Sequence, residues 1–181
     1  MEKPGYCPRK EVTYIDEHLF YWTARFVDKI NGKTADMGCA NAKSAYVKKY
    51  YSFYIDMEQV EFDFNFGTGT RKKYDTIYCF EVIEHLQNSL HFMRTVKRML
   101  KPGGTIYLST PSRPKFLWTK HHFIEMNKQH LTKWILNPLG LKITKSRRIR
   151  IGQPWYFYFT GIRPFLRLFF NFTRIYEIIQ N

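Results

Sequence analysis

The sequence predicts a doubly wound α/β fold: a mostly parallel sheet with helices on both faces and an antiparallel hairpin at the C-terminal end. Three observations carry this. Short apolar runs alternate with amphipathic stretches from Lys33 to Leu136, the order that parallel strands and crossover helices produce. A turn of small residues, Asp36-Met37-Gly38-Cys39-Ala40-Asn41-Ala42, follows the first run and opens a helical stretch. Two strand-like runs after Leu141 flank Gly152-Gln153-Pro154, which reads as a hairpin.

Each element has its own signal. Ile15, Leu19, Trp22, Phe26 and Ile30 recur at three- and four-residue steps, one helical face within 12–30, and Asn31-Gly32 ends it. Residues 33–37 read as the first strand, 41–50 as a helix, 51–55 as a second strand and 60–64 as a third. The gap between Asp56 and Val60 is too short for a helical crossover. Residues 67–73 are a polar loop and 75–80 a fourth strand. Leu90, Met93, Val96 and Leu100 mark a helix over 88–100, stopped by Pro102-Gly103-Gly104 before a strand at 105–110. A Pro-rich loop (111–120) leads to a helix at 127–136. Residues 141–151 and 155–160 are the hairpin strands, and 162–180 a last amphipathic helix. The expectation is one domain over 1–181: an N-terminal helix (12–30), a core sheet (33–160) and the C-terminal helix.

Bulk properties narrow the class. The chain has 181 residues, 44% of them apolar and 18% aromatic, enough for a core. No stretch reaches the roughly 18–20 apolar residues of a membrane span. The start Met1-Glu2-Lys3-Pro4-Gly5 lacks a basic-then-apolar leader, so a cytoplasmic location is expected. Cys7, Cys39 and Cys79 form no metal or disulfide pattern. The net charge is +14, and it is segregated. Thirteen of fifteen acids lie at or before Glu84, and ten Lys and Arg but no acid lie between Glu125 and Glu177. The basic half is where a polyanionic partner would sit.

Four fragments fall in order: the small-residue turn at 36–42, Asp56 at the end of the second strand, Cys79-Phe80-Glu81-Val82-Ile83-Glu84-His85, and Leu100-Lys101-Pro102-Gly103-Gly104. Together they resemble the class I S-adenosylmethionine-dependent methyltransferases, of the small type-11 or type-23 kind, over roughly residues 30–150. The resemblance implies a Rossmann-like fold, S-adenosylmethionine as cofactor, and methyl transfer to an unidentified acceptor. It also implies site residues. Gly38, Cys39 and Ala40 form the turn over the cofactor, and Asp36 helps hold its methionine end. Asp56, with Met57 beside it, takes the ribose hydroxyls. Asp63 or the Phe64 backbone lies near the adenine amino group, and Phe80 and Glu81 lie against adenine and methionine. Ala40 and Ala42 stand where the family usually has glycine, so the turn must use ordinary dihedrals there. Acids at Asp36, Asp56, Asp63 and Glu81 suit a ligand carrying a sulfonium and an ammonium. A dinucleotide pyrophosphate would prefer bare helix N–H groups.

His85 is the candidate general base, because its ordinary pKa lies near neutrality; it equally suits a helix start. Glu81, Glu84, His85 and one of His121 and His122 also resemble the Glu-x-x-Glu-His metal set of RNA 3′-terminal ribose 2′-O-methyltransferases, although no metal is required by the general family. The acceptor is thus a small molecule or RNA. A non-catalytic binding or scaffold module of the same fold is the rival from another class. In the last helix Arg163, Arg167 and Arg174 share a face amid Phe residues. That arrangement fits internal packing, a homodimer or an anionic membrane contact through 162–180. Lys142, Lys145, Arg147, Arg148 and Arg150, with Trp155, Tyr156 and Tyr158, are candidates to grip phosphates and stack bases.

Overall fold

The computed structural model describes residues 14–27, 32–38 and 57–181, and the side chains of 14–16 are not described. The expected helix at 41–50, strand at 51–55, and the site residues Cys39, Ala40 and Asp56 lie outside the described residues. The described elements are α1 (Tyr14–Phe26), β1 (Thr34–Asp36), β2 (Glu58–Gln59), β3 (Tyr74–Phe80), α2 (Ser89–Met99) and β4 (Leu100–Pro111). They continue with α3 (Lys128–His130), extended by a π-helical Leu131–Leu136, then β5 (Leu141–Arg150), α4 (Ile162–Phe170) and β6 (Phe172–Gln180).

The described strands form one sheet in the order β2-β1-β3-β4-β6-β5. The first four run parallel, and β6 lies antiparallel between β4 and β5. Period-two alternation splits the core in two. Ile77, Cys79, Ile106, Leu108, Tyr176 and Ile178 face α2 and the 131–139 segment. Tyr78, Tyr107, Ile149 and Ile175 face α1, where Phe26 packs edge-on to Tyr107 and Tyr107 stacks on Tyr78. Helices thus cover both faces, as the alternation of runs predicts.

Three elements differ from expectation. Residues 60–64 are not a strand; β2 stops at Gln59. Phe62 and Phe64 do enter the core, but from a turn built by Asp63, whose carboxylate accepts the Asn65 and Phe66 N–H groups. An aspartate bonding its own backbone two residues on competes with the ladder. Residues 155–160 are not a strand either. A 3₁₀ helix, Trp155–Phe159, follows Pro154. The final segment is not one helix over 162–180: it breaks at the buried Asn171. The Asn171 side chain donates to the Ile151 carbonyl and its carbonyl accepts the Ile151 N–H, closing the excursion between β5 and β6. Beyond it Thr173, Ile175, Tyr176, Ile178 and Ile179 are β-branched or aromatic, and they pair with both neighbouring strands. The hairpin is therefore β5–β6, with a twenty-residue excursion instead of a tight turn.

Leu100 pairs with Tyr74 and Thr105 with Thr76, so Lys101–Gly104 bulges out of β4. Lys101 and the Lys33 N–H both hold the Asp75 carboxylate, at 2.7 Å each. A Cβ on Gly104 would meet the Asp75 carbonyl oxygen at 2.9 Å and Leu100 at 2.8 Å. Gly104→Ala is therefore expected to lower stability by about 1–3 kcal/mol through overpacking. Gly152→Ala, with nothing within 4 Å, is expected to be neutral or to gain up to about 1 kcal/mol. Thermal denaturation of both variants checks the contrast, and equal Tm values would contradict it.

Candidate functional site

The strand order places a switch point between β1 and β3. From β1 the chain moves to β2 on one side, then returns across to β3 on the other. Connections leave in opposite directions there, so a crevice opens at the carboxyl ends of those strands. The residues at that edge are Gln59 on β2, Asp36 to Gly38 after β1, Phe80 and Glu81 after β3, and Ser109 and Thr110 on β4.

Asp36 is buried, pairs in register with Gln59 and Tyr78, and accepts the Gly38 N–H at 3.0 Å. A Cβ on Gly38 would meet its carboxylate oxygens at 3.2 and 3.3 Å. Glycine at 38 thus leaves room for Asp36 to fold back. Gln59 donates to the Gly38 carbonyl, while its Oε1 is buried with no hydrogen-bond partner among the described residues. A buried acceptor of this kind at a crevice requires a donor from elsewhere. Sequence reasoning passed over Gln59, since nothing in its neighbours marks a turn or motif.

Glu81 carries a positive φ of 54°, an uncommon backbone for a residue with a side chain. Ser109 fixes it: the Glu81 N–H reaches the Ser109 carbonyl at 3.1 Å, and the Ser109 hydroxyl donates to Glu81 Oε1 at 2.8 Å. Strain held by such contacts collects at functional sites, at about 1–3 kcal/mol each. Phe80 packs against Tyr78 at the end of β3. Of the other expected residues, Met57 is buried with Phe26, Val27 and Tyr78. Asp63 caps its own turn, and the Phe64 ring lies between Phe62 and Phe92.

A second group lies just beyond β3. Glu84 and His85 sit on a 3₁₀ turn, Ile83–His85. Glu84, His85 and His122 each bring one donor atom within 4.8 Å of the others. Glu81 stands outside that group, tied to Ser109, and His121 contributes its carbonyl, which holds His85 Nδ1 at 3.0 Å. A carbonyl only accepts, so the His85 proton sits on Nδ1 and Nε2 is the basic nitrogen. The His85 and His122 rings meet edge to face. His122 Nδ1 lies 2.7 Å from Glu125, which Arg113 clamps through two nitrogens. Burial pushes the Glu125 carboxyl up, but hydrogen bonds from His122 and Arg113 outweigh it and hold it below its ordinary value. The Arg113–Glu125 pair has no sequence signature, because a loop of irregular backbone joins its members.

Glu84 is in the opposite condition. It is fully buried; Thr110 donates to Oε2 at 3.1 Å, and Oε1 has no hydrogen-bond partner among the described residues. Burial, then the neighbouring Glu81 charge, push its carboxyl well above the ordinary value of 4.5. Among the described residues, Gln59 Oε1 and Glu84 Oε1 are the unmet acceptors at this end of the sheet.

The cations expected to grip phosphates lie exposed on β5, and four of them also make local contacts. Arg147 lies over the Trp22 ring at 4.0 Å and Arg148 over Phe172 at 4.3 Å. Lys145 lies over Phe26, and Arg150 donates to the Leu168 carbonyl. A cavity of about 590 Å³ opens at the far edge of the sheet, at the amino ends of β3 and β4, lined by Lys73, Arg94, Lys97 and Arg98. It lies away from the acidic crevice.

Residues 5–151 match the family model described as "Methyltransferase domain". A "Ubiquinone biosynthesis O-methyltransferase" of Proteus mirabilis is 34% identical over 47 residues, 26% of this chain and 19% of that protein. The chain thus aligns with about a fifth of the length of such curated relatives. The methyltransferase complexed with the Trm112 activator in Haloferax volcanii superposes with a TM-score of 0.63 at 16% identity, covering 91% of this chain and 89% of that one. The [4+2]-cyclase SpnF superposes with a TM-score of 0.61 at 13% identity, covering 99% and 87%. Other structures of this fold carry S-adenosylhomocysteine.

The raised Glu84 carboxyl has a sign that can be read. Its folded value lies above the unfolded one, so its favourable contribution is complete below about pH 4.5 and is lost as pH rises toward the folded value. Glu84→Gln is expected to match the wild type in Tm at acidic pH and to exceed it increasingly from pH 4.5 upward in metal-free buffer. A variant less stable than wild type at neutral pH would contradict this reading.

Proposed function

The chain belongs to the methyltransferase-domain family, and from that premise we propose that it is an S-adenosylmethionine-dependent methyltransferase whose cofactor lies across the tips of β1 and β3. The observation that carries this is the pair of carboxylates, Asp36 and Glu81, at adjacent parallel strand ends beside the orphaned Gln59 Oε1. An acceptor-rich crevice fits a ligand rich in donors and positive charge. When bound, S-adenosylmethionine supplies a methyl group already activated by a sulfonium. The protein's own share is alignment and exclusion of water.

In this reading Asp36 and Gln59 hold the donors of the cofactor, and Glu81, fixed by Ser109, sets the other wall. Gly38, Cys39 and Ala40 leave backbone room, and Asp56 with Met57 approaches the ribose. Asp63 and Phe64 shape the adenine end. His85 Nε2 takes the proton from a hydroxyl acceptor. The acceptor comes to the β4 side of the crevice, where Thr110 and the loop after β4 stand.

A specific observation favours a second, metal-assisted reading. Glu84 Oε1 is buried without a hydrogen-bond partner, and two imidazoles stand within reach of it. Two histidines and one carboxylate suit a divalent transition metal, and Glu125 would orient His122 from behind. Such a centre would activate a ribose hydroxyl of RNA as acceptor. The SpnF likeness keeps non-methylating chemistry on this fold in view, since fold alone does not fix function.

Calorimetric titration tests the main reading. S-adenosylmethionine and S-adenosylhomocysteine are expected to bind. Asp36→Asn is expected to weaken the former by about 1.5–3 kcal/mol, roughly ten- to hundredfold, the worth of a hydrogen bond to a charged group. Absence of binding at millimolar ligand would favour a scaffold. A parallel titration with Mn²⁺ and Zn²⁺, on wild type and Glu84→Gln, decides the metal reading: uptake lost in the variant supports it, and no uptake removes it.

A further inference from the structure

An aromatic-rich stretch of the chain stays largely exposed. Between Ile151 and Asn171 the chain leaves the sheet and returns, and neither the 3₁₀ helix at 155–159 nor α4 contributes one buried residue. Trp155, Phe159 and Ile162 are 76%, 80% and 77% exposed, and Tyr156, Phe165 and Phe169 are also open. An exposed patch of this composition marks a partner rather than a free surface. It also lies beyond the residues matched by the family model.

Its neighbours say which partner. Arg163 and Arg167 donate to the Trp118 and Leu117 carbonyls, so the polar side of α4 is docked on the loop after β4 while the aromatic rings turn outward. That loop adds exposed Phe116, whose ring meets Phe170, and exposed Lys115 and Lys120. No acid occurs from Met126 to Tyr176, and Glu125 is buried under Arg113. Among the described residues, the surface thus has aromatic rings at its centre and Lys115 and Lys120 beside it. A twofold contact through this patch would bring Lys115 and Lys120 near like charges, and the excursion carries no acid to offset them. A nucleic-acid groove needs cations in front and rings behind, the reverse of this order. Trp and Tyr rings amid Lys and Arg suit the boundary between lipid headgroups and acyl chains. Among the described residues no helix is long and apolar enough to cross a membrane, so the contact is interfacial.

We propose that Trp155–Phe170 is an interfacial anchor that seats the protein on an anionic lipid bilayer. β5 runs in the same direction as β4, since both are antiparallel to β6, so the excursion leaves the sheet at the edge where the acidic crevice opens. Seating therefore brings the crevice to the bilayer surface. If the methyl-transfer reading holds, and this clause rests on it, the acceptor is an amphiphile drawn from the lipid phase.

Co-sedimentation of the full chain with vesicles tests the anchor, using phosphatidylcholine alone and phosphatidylcholine mixed with phosphatidylglycerol. Wild type is expected to pellet with the anionic vesicles and weakly with the neutral ones. The triple variant Trp155→Ser/Phe159→Ser/Ile162→Ser is expected to lose about tenfold or more in apparent partitioning. Lys115→Glu/Lys120→Glu is expected to lose the preference for anionic lipid while keeping its fold, checked by an unchanged Tm. No wild-type binding, equal binding by the triple variant, or a patch-dependent dimer or RNA complex without vesicle binding would each overturn the proposal. S-adenosylhomocysteine titration of the same preparations separates the two readings, since vesicle binding is read without cofactor.

Discussion

A carboxylate buried at the end of a parallel strand is costly unless something positive or hydrogen-donating meets it. This chain accepts that cost repeatedly along one sheet edge. Asp36 is buried at the tip of β1, Glu81 is strained into place at the tip of β3, and Glu84 is buried just beyond. Gln59 adds an unmet acceptor. The protein partly offsets each with its own donors: the Gly38 N–H, the Ser109 hydroxyl and the Thr110 hydroxyl. Carboxylates thus gather at this edge, with Gln59 Oε1 unmet among the described residues, in a chain whose net charge is +14. Segregation of that kind is a recognition device, and it points to a cationic, donor-rich ligand.

The fold follows from the same geometry. Parallel strands put their carboxyl ends on one edge and need crossovers to cover their faces, and the two apolar clusters show both faces filled. The Lys101–Gly104 bulge, anchored through Asp75, turns α2 back into β4 and sets the register that lines Ser109 up with Glu81. Beyond β4, the insertion of β6 before β5 completes the hydrophobic floor. It also throws the Trp155–Phe170 excursion out at the site end.

Much of this was legible in residue order. The small-residue turn, the alternating runs and the Pro-Gly-Gly stop located β1, β3, α2 and β4 within a few residues. Asp36 and Glu81 stand at strand ends, positions recognisable in the sequence as places where apolar runs end in acids. Where local chemistry competed with pattern, the reading failed. Phe62 and Phe64 alternate as in a strand, but Asp63 between them bonds its own backbone. Phe169 to Ile179 carries both helical and strand periods, and the buried Asn171 decides between them through bonds to Ile151, twenty residues away. Gln59 and Arg113 were invisible because their roles exist only once distant loops meet. The cations of β5 also make local contacts that residue order does not reveal, Lys145 and Arg147 over rings of α1 and Arg148 over Phe172 of β6. Fold, family and acidic crevice therefore depend on local order, whereas the surfaces for partners depend on contacts between distant loops.

The central claim is that the acidic edge between β1 and β3 is the cofactor crevice. A crystal structure of the full chain with S-adenosylhomocysteine tests it most directly. The account predicts ligand density spanning the tips of β1 and β3, with its amino group against Asp36 and its remaining donors toward Gln59. Ligand found instead in the basic cavity lined by Lys73, Arg94, Lys97 and Arg98, or a crevice closed by the chain itself, would contradict it.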